Sequence, residues 1–378
     1  MSSCHHYEES YCRSCQLIGK EYQLGLKEKV YHWRSLLEID SNLIEEVFYP
    51  KEPLGGRNKA KIMVGGSVEF PRFGFPDPEN FKKVRPLENC PLYLQGMNNI
   101  YPVLKELVRS YQLTPYNVEL KKGELKYIIF YQSESTNEKY LKFIVRSKES
   151  LDRLKKALPF LKENISQLKV VSASLQPEHK AILEGEEEIF LTDTTRINNR
   201  MNDLELPIST RSFFQVTSEV ASKLYLSVQE RMSECDYALD LFCGVGGFSF
   251  HLAKKAKKVF GVELSKDAIE CAKDAVKKNN LSHIDFLAKD AYDFLKEQRP
   301  KIDTLVVNPP RRGLGEKLCR LVEEFEANEI FYSSCNPETL NKDLLLLSKY
   351  EVIWARPFDM FPYTNHLEFL VHLKRIEV

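Results

Sequence analysis

From residue 237 onward, short apolar runs alternate with helical stretches, and this alternation constrains the fold more than any other feature of the chain. Residues 237–243, 258–264, 284–287, 302–308 and 329–334 read as strands, and residues 266–279, 316–327 and 337–348 read as helices. Such alternation predicts an α/β domain, a parallel sheet covered by helices on both faces. Two further β-like runs, 351–356 and 367–373, close the chain. In a sheet of this kind, chemistry collects at the strand ends.

Two of those ends run into polar loops stiffened by proline. Val306-Val307 stops at Asn308-Pro309-Pro310-Arg311, and Ile330-Phe331-Tyr332-Ser333-Ser334 stops at Cys335-Asn336-Pro337. Cys335 therefore reads as a nucleophile beside a loop that grips substrate. A third end, Asp240-Leu241-Phe242-Cys243-Gly244-Val245-Gly246-Gly247, is a glycine-rich strand-to-helix turn where the backbone can approach a ligand. Glu263 ends the next strand, where a carboxylate can accept from both ribose hydroxyls, and Asp290 follows the third. The pattern fits a dinucleotide or S-adenosylmethionine. The third glycine comes too early for Gly-x-Gly-x-x-Gly, and Asp240 ahead of the turn favours the methionine-derived cofactor; the bland alternative is a tight turn with no ligand.

The first half is a mixed α+β module. Gly65-Gly66 and Pro71, Pro76, Pro78, Pro86 and Pro91 cut residues 50–95 into short strands and turns, while 125–132 and 140–146 read as a hairpin. Residues 22–37 form an amphipathic helix able to pack on either domain, and the boundary falls near 207–211. Net charge is zero, yet residues 51–150 carry 17 Lys/Arg against 11 Asp/Glu, enough for a phosphate-facing surface or for scattered surface lysines.

Composition is ordinary, 43% hydrophobic and 29% charged, which excludes a disordered chain. No apolar run is long enough to span a membrane, and residues 1–7 have neither a basic nor an apolar leader region, so the expectation is a cytoplasmic protein away from membranes. Nine cysteines in a reducing compartment do not imply disulfides. Cys4, Cys12 and Cys15, with Cys90, offer four sulfurs that suit zinc nearly as well as an iron-sulfur cluster.

Taken together, Asn308-Pro309-Pro310-Arg311, Ser333-Ser334-Cys335-Asn336-Pro337 and Ser212-Phe213-Phe214-Gln215 resemble the RNA uracil-C5 methyltransferase family of bacteria, over nearly the whole chain. The cysteines at 4, 12, 15 and 90 resemble those of members that methylate 23S ribosomal RNA and carry a [4Fe-4S] cluster. The resemblance implies a C-terminal class I (Rossmann-like) S-adenosylmethionine-dependent methyltransferase domain, 211–378, and an N-terminal iron-sulfur and RNA-binding α+β domain, 1–210. By the same resemblance Cys335 adds to C6 of uracil and Glu368 removes the C5 proton, because C5 is a poor nucleophile until the ring becomes an enolate. It also implies cofactor contacts from Gln215, Phe242, Gly244, Gly247, Glu263, Asp290 and Asn308. Two positions depart from the family, Asn308 where Asp is usual and Gly247 where Asn is frequent.

Many members begin with a small oligonucleotide-binding β-barrel, whereas the first cysteine here is residue 4; the short form, acting as a monomer on U747 of 23S RNA, is expected. Arg57, Lys59 and Lys126, with Phe214, are the expected RNA contacts, a mixture of cations and aromatics that suits single-stranded RNA. Methylation of another ribosomal or transfer-RNA uracil, and an inactive RNA-binding metal protein, are the alternatives. An amino-group methyltransferase fits less well, because Arg311 stands where its Asn-Pro-Pro-aromatic motif needs a ring.

Overall fold

The computed structural model describes residues 4–77, 80, 82–178, 183–297 and 301–376, so the first three residues of the N-terminal reading lie outside it. The chain divides into two compact units. One, the central unit, comprises Ser2–Gly19 and Leu54–Asn199; the other, the catalytic unit, comprises Lys20–Pro53 and Arg200–Val378, with Met1.

The central unit is built on strands β1 (Lys59–Gly66), β2 (Pro71–Pro76), β3 (Val84–Pro86), β4 (Leu125–Gln132), β5 (Lys139–Val145), β6 (Leu168–Leu175) and β7 (Glu187–Phe190), in the order β3-β2-β1-β4-β5-β6-β7. The β4–β5 hairpin is the expected one. β5 and β6 pair in parallel, which requires a crossover, and helices Leu151–Lys156 and Leu158–Asn164 supply it. Helix Ile100–Ser110 lays Ile100, Tyr101, Leu104, Leu107 and Val108 into the core, spaced as one helical face.

The catalytic unit holds a second seven-stranded sheet: β8 (Cys235–Leu241), β9 (Ala256–Glu263), β10 (Ile284–Ala288), β11 (Thr304–Val307), β12 (Glu329–Ser334), β13 (Tyr350–Phe358) and β14 (Glu368–Arg375). Its order is β10-β9-β8-β11-β12-β14-β13. The first five strands run parallel; β14 is inserted antiparallel beside β12, and β13, antiparallel to β14, runs in the same direction as the five. The strand order reverses between β8 and β11, which opens a crevice at their C-terminal ends, where doubly wound sheets bind ligands.

The expected division at 1–210 and 211–378 is corrected at two places. Residues 20–53 join the catalytic unit because Trp33, Leu37 and Ile44 of that segment are buried in its core. Ile44 and Phe48 also bridge Ala355 and Phe358 on β13. Residues 200–210 belong there too: Asn279 exchanges two hydrogen bonds with the Glu205 backbone, at 2.9 and 2.8 Å. Among the described residues no helix is long and apolar enough to cross a membrane.

Candidate active site

Cys335 follows the last residue of β12, and Glu368 opens β14. The antiparallel register pairs Ser333 with Leu370 and Ser334 with Phe369, so one further step sets Cys335 opposite Glu368. Glu368 is 3% exposed, and its Oε1 accepts from Ser333 Oγ at 2.5 Å. Burial pushes its carboxyl up to about 7 against the pull of that hydrogen bond. Burial and then the Glu368 charge push the Cys335 thiol up to about 11, while Arg311 draws it down. A thiol, a carboxyl that titrates near neutrality and a guanidinium thus share one strand end.

The two proline-stiffened loops are tied to each other. Asn336 Nδ2 and Thr339 Oγ1 both donate to the Arg311 carbonyl, at 3.0 and 3.2 Å, and Asn336 Oδ1 caps helix Pro337–Leu346 by accepting from Glu338 N–H. Buried Asp343, on that helix, accepts from the Leu314 and Gly315 amides at 2.7 and 3.0 Å and from the Tyr332 hydroxyl at 2.6 Å. One carboxylate therefore fixes the loop after Asn308 relative to the strand that ends at Cys335.

The approach to Glu368 is held from the other end of the chain. Lys29, on helix Tyr22–Ser35, is buried and donates to Asp359 Oδ1 at 2.6 Å and to the carbonyls of Phe361, Thr364 and His366 at 3.1, 3.0 and 3.0 Å. Trp33 Nε1 donates to the Asn365 carbonyl, and its ring stacks on Phe369 at 6.2 Å between centroids. Thr217 Oγ1 bonds the Met360 carbonyl, linking the segment after Gln215 to the same loop.

At the switch point, Phe242, Gly244 and Gly246 all take left-handed backbone conformations, with φ of 63°, 55° and 92°. For Phe242 that conformation is strained, the kind of distortion that persists where a turn is fixed by its surroundings. Glu263 ties the turn down, accepting from the Gly244 and Ser265 amides at 3.3 and 2.9 Å. A side chain at Gly244 would meet nothing, so open space lies beside it. Asp240 is buried with Oδ2 bonded to Ser249 Oγ at 2.6 Å, whereas Oδ1 has no partner, and burial pushes this carboxyl up to about 7. Gln215 is buried, and Asn308 is held by its amide on the Leu241 carbonyl at 3.3 Å. Asp290 caps helix Ala291–Glu297 through Oδ1, which accepts from Tyr292 N–H at 2.9 Å.

The profile of the family described as tRNA (Uracil-5-)-methyltransferase matches residues 106–376. A 23S rRNA (uracil(747)-C(5))-methyltransferase from Xenorhabdus nematophila is 40% identical, with 98% of this chain and 99% of that protein covered. Its namesake from Shewanella amazonensis is 41% identical, with 97% and 96% covered. The chain belongs to the S-adenosylmethionine-dependent RNA uracil-C5 methyltransferase family. The crystal structure of Pyrococcus abyssi tRNA (uracil-54, C5)-methyltransferase in complex with S-adenosyl-L-homocysteine superimposes with a TM-score of 0.80 at 26% identity, covering 95% of this chain and 85% of that one.

For a uracil methyltransferase the crevice fits the cofactor on its own evidence: an orphaned buried acceptor at Asp240, a carboxylate on the second strand, and a glycine facing open space. Gly247 is different. A Cβ there would lie 2.6 Å from the Tyr225 ring, so packing against helix Ser218–Arg231 requires the glycine whatever its backbone touches.

Two expected RNA contacts of this methyltransferase are buried. Lys126 packs over the Tyr116 ring and donates to the Gln176 and Glu178 carbonyls at 2.6 and 2.9 Å, which ties its ammonium to the protein's own backbone. Phe214 is 5% exposed, whereas its neighbour Phe213 is 66% exposed. Arg57 is exposed, and Lys59 is partly buried above the Tyr140 ring. What the sequence reading missed is the clamp of Lys29 and Asp359; a lysine in an amphipathic helix gives no sign that it will be buried.

All four N-terminal-type cysteines lie in the central unit and are free. Asn98 holds Cys90 by its backbone N–H and carbonyl, both at 3.1 Å. Burial pushes the Cys15 thiol up to about 12, with Cys90, Cys12 and Cys4 each adding to it and Arg57 opposing. Four free thiols match a thiolate-held group in number and chemistry. Among the described residues no three metal-binding side chains are drawn into ligating geometry.

Proposed function

We propose that this enzyme methylates C5 of a uracil in 23S ribosomal RNA, U747, by way of a covalent bond between Cys335 and C6. The observation that carries the reading is the placement of Cys335 opposite a buried, neutrality-tuned Glu368 at the strand end facing the cofactor crevice. The substrate follows the names of relatives that align over nearly the full chain at about 40% identity.

Burial and the Glu368 charge hold the Cys335 thiol protonated in the free enzyme, so it must give up its proton, helped by Arg311, before the thiolate adds to C6; the ring electrons then move onto C5 and O4 as an enolate. Bound S-adenosylmethionine supplies the methyl electrophile. Gln215, Phe242, Gly244, Glu263, Asp290 and Asn308 line its site, with Glu263 on the ribose and the free Asp240 Oδ1 a ready acceptor for its amino group. Glu368 then takes the C5 proton, the C5–C6 double bond re-forms and Cys335 leaves as thiolate, which returns the uracil aromatic with its new methyl group. Arg57 and Lys59 contribute to RNA binding, and Phe213 replaces Phe214 as the aromatic available to stack on a base. Cys4, Cys12, Cys15 and Cys90 would hold a [4Fe-4S] cluster, which would fasten the N-terminal segment to the Cys90 loop. The enzyme works in the cytoplasm, as a monomer.

The test is a pair of variants given 23S RNA and cofactor. Glu368→Gln should trap a protein–RNA adduct that survives denaturing electrophoresis, and Cys335→Ala should form none. Equal adduct in both would remove Cys335 from the mechanism. Loss of the U747 methyl group alone in a deletion strain identifies the nucleotide.

A further inference from the structure

One cavity of the central unit lies where β4 ends and β5 begins, with a volume of about 210 Å³. Its walls are rich in amides, among them Asn99, Gln132 and Asn137, with Lys139 beside them and the core residue Phe130 behind. Gly96 at its edge is left-handed, and a side chain there would point into empty space.

Two groups in it are left unbalanced. Lys139 is 6% exposed, and its ammonium donates to Asn137 O, Asn137 Oδ1 and Ser166 O at 3.0, 2.9 and 2.9 Å. All three acceptors are neutral, no carboxylate pairs with it among the described residues, and burial alone lowers its affinity for the proton. A buried charge without a counter-charge is costly and calls for an explanation. Gln132, 8% exposed, donates through Nε2 to the Gln95 carbonyl at 3.2 Å, while its Oε1 is buried with no partner. Water would satisfy Gln132, but it carries no charge and leaves Lys139 as it was.

A ligand that balances both groups brings a negative charge and a hydrogen-bond donor. A nucleotide has both, and unpaired nucleotides are what proteins read in structured RNA, in part by contacts to base edges. We propose that this cavity holds one unpaired nucleotide of the substrate RNA, its phosphate compensating Lys139 and its base donating to Gln132 Oε1. The proposal rests on the chain being an RNA methyltransferase and names a subsite away from Cys335 and Glu368.

The experiment uses the full-length enzyme and a 23S RNA fragment spanning the methylated uracil, with 4-thiouridine at single unpaired positions around it. Irradiation should cross-link one such position to a peptide containing residues 95–100 or 130–139. Lys139→Gln should weaken binding of this fragment about tenfold and reduce the salt slope of binding by roughly one ion. Gln132→Met should weaken it by a similar factor without changing the slope, the loss falling on KM. Absence of cross-links to these peptides from every position, or wild-type affinity and slope in both variants, overturns the proposal. Cross-linking reads the wild type, so a variant that misfolds does not rescue the idea. Failure of the wild type to methylate the fragment would instead count against the substrate reading.

Discussion

Ser333 Oγ donates to Glu368 Oε1 across the β12–β14 pair, two residues before the nucleophilic strand end. That one hydrogen bond stabilises the charged form of a carboxyl which burial otherwise keeps neutral. Glu368 accepts a proton only when ionised, so kcat/KM should fall as pH drops through about 7. Ser333→Ala removes the bond, and the acid limb of the pH profile should move to higher pH by roughly one unit, the size of one hydrogen bond. An unmoved limb would show that Glu368 is not the group it reports.

The same burial sets a stability cost. The folded carboxyl titrates near 7 instead of its ordinary 4.5, so the stability present below pH 4.5 is lost as pH rises through 7. Glu368→Gln should abolish this loss. Urea unfolding of the two proteins should show the variant gaining about 3 kcal/mol on the wild type between pH 4.5 and pH 8, a gain in stability made together with a loss of turnover.

Lys29→Met leaves Asp359 buried, still accepting from the Tyr22 hydroxyl at 2.6 Å but without a paired cation among the described residues. Breaking a buried pair from one side should destabilise the enzyme by about 3–5 kcal/mol. Lys29→Met with Asp359→Asn should recover part of that in thermal unfolding, because no charge then remains in the pocket.

Adjacent phenylalanines should behave oppositely. Phe214→Ala opens a cavity in a packed site and should cost about 3–5 kcal/mol, whereas Phe213→Ala should leave the melting temperature nearly unchanged and weaken RNA binding. Melting curves and RNA affinity for the two variants give the comparison.

Anaerobically purified protein should be coloured and contain about four irons, as a four-thiolate cluster requires. Chelation under oxidation should bleach it, and Cys15→Ser should prevent its assembly. Stoichiometric zinc in colourless protein would overturn the cluster.

The parallel strands were legible because strands buried on both faces are written as continuous apolar runs, and helix Lys266–Asn279 because Ser265 caps its start and Asn280 ends it in a left-handed conformation. Helix Ser218–Arg231 was not legible. Its buried face includes Ser227 beside Val220, Leu224 and Val228, and this mixture blurs the apolar stripe. Residues at strand ends, Cys335 and Glu263, could be found from the pattern because the fold class says where chemistry sits. Side chains in loops could not: nothing local decides which of Phe213 and Phe214 turns inward, or that Lys126 will meet two carbonyls fifty residues away.

Lys29 and Asp359 are 330 residues apart, and β14, which carries Glu368, is slotted between β12 and β13. At about 5–20 residues per second, a ribosome needs on the order of tens of seconds to connect the two halves of the clamp. Throughout that time helix Tyr22–Ser35 has left the exit tunnel with Trp33 and its buried ammonium unhoused, and the sheet waits for an interior strand. The catalytic unit therefore cannot complete its sheet until β14 has been made, and premature termination shortly before Glu368 should yield a substrate for chaperones and proteases instead of a weakened enzyme.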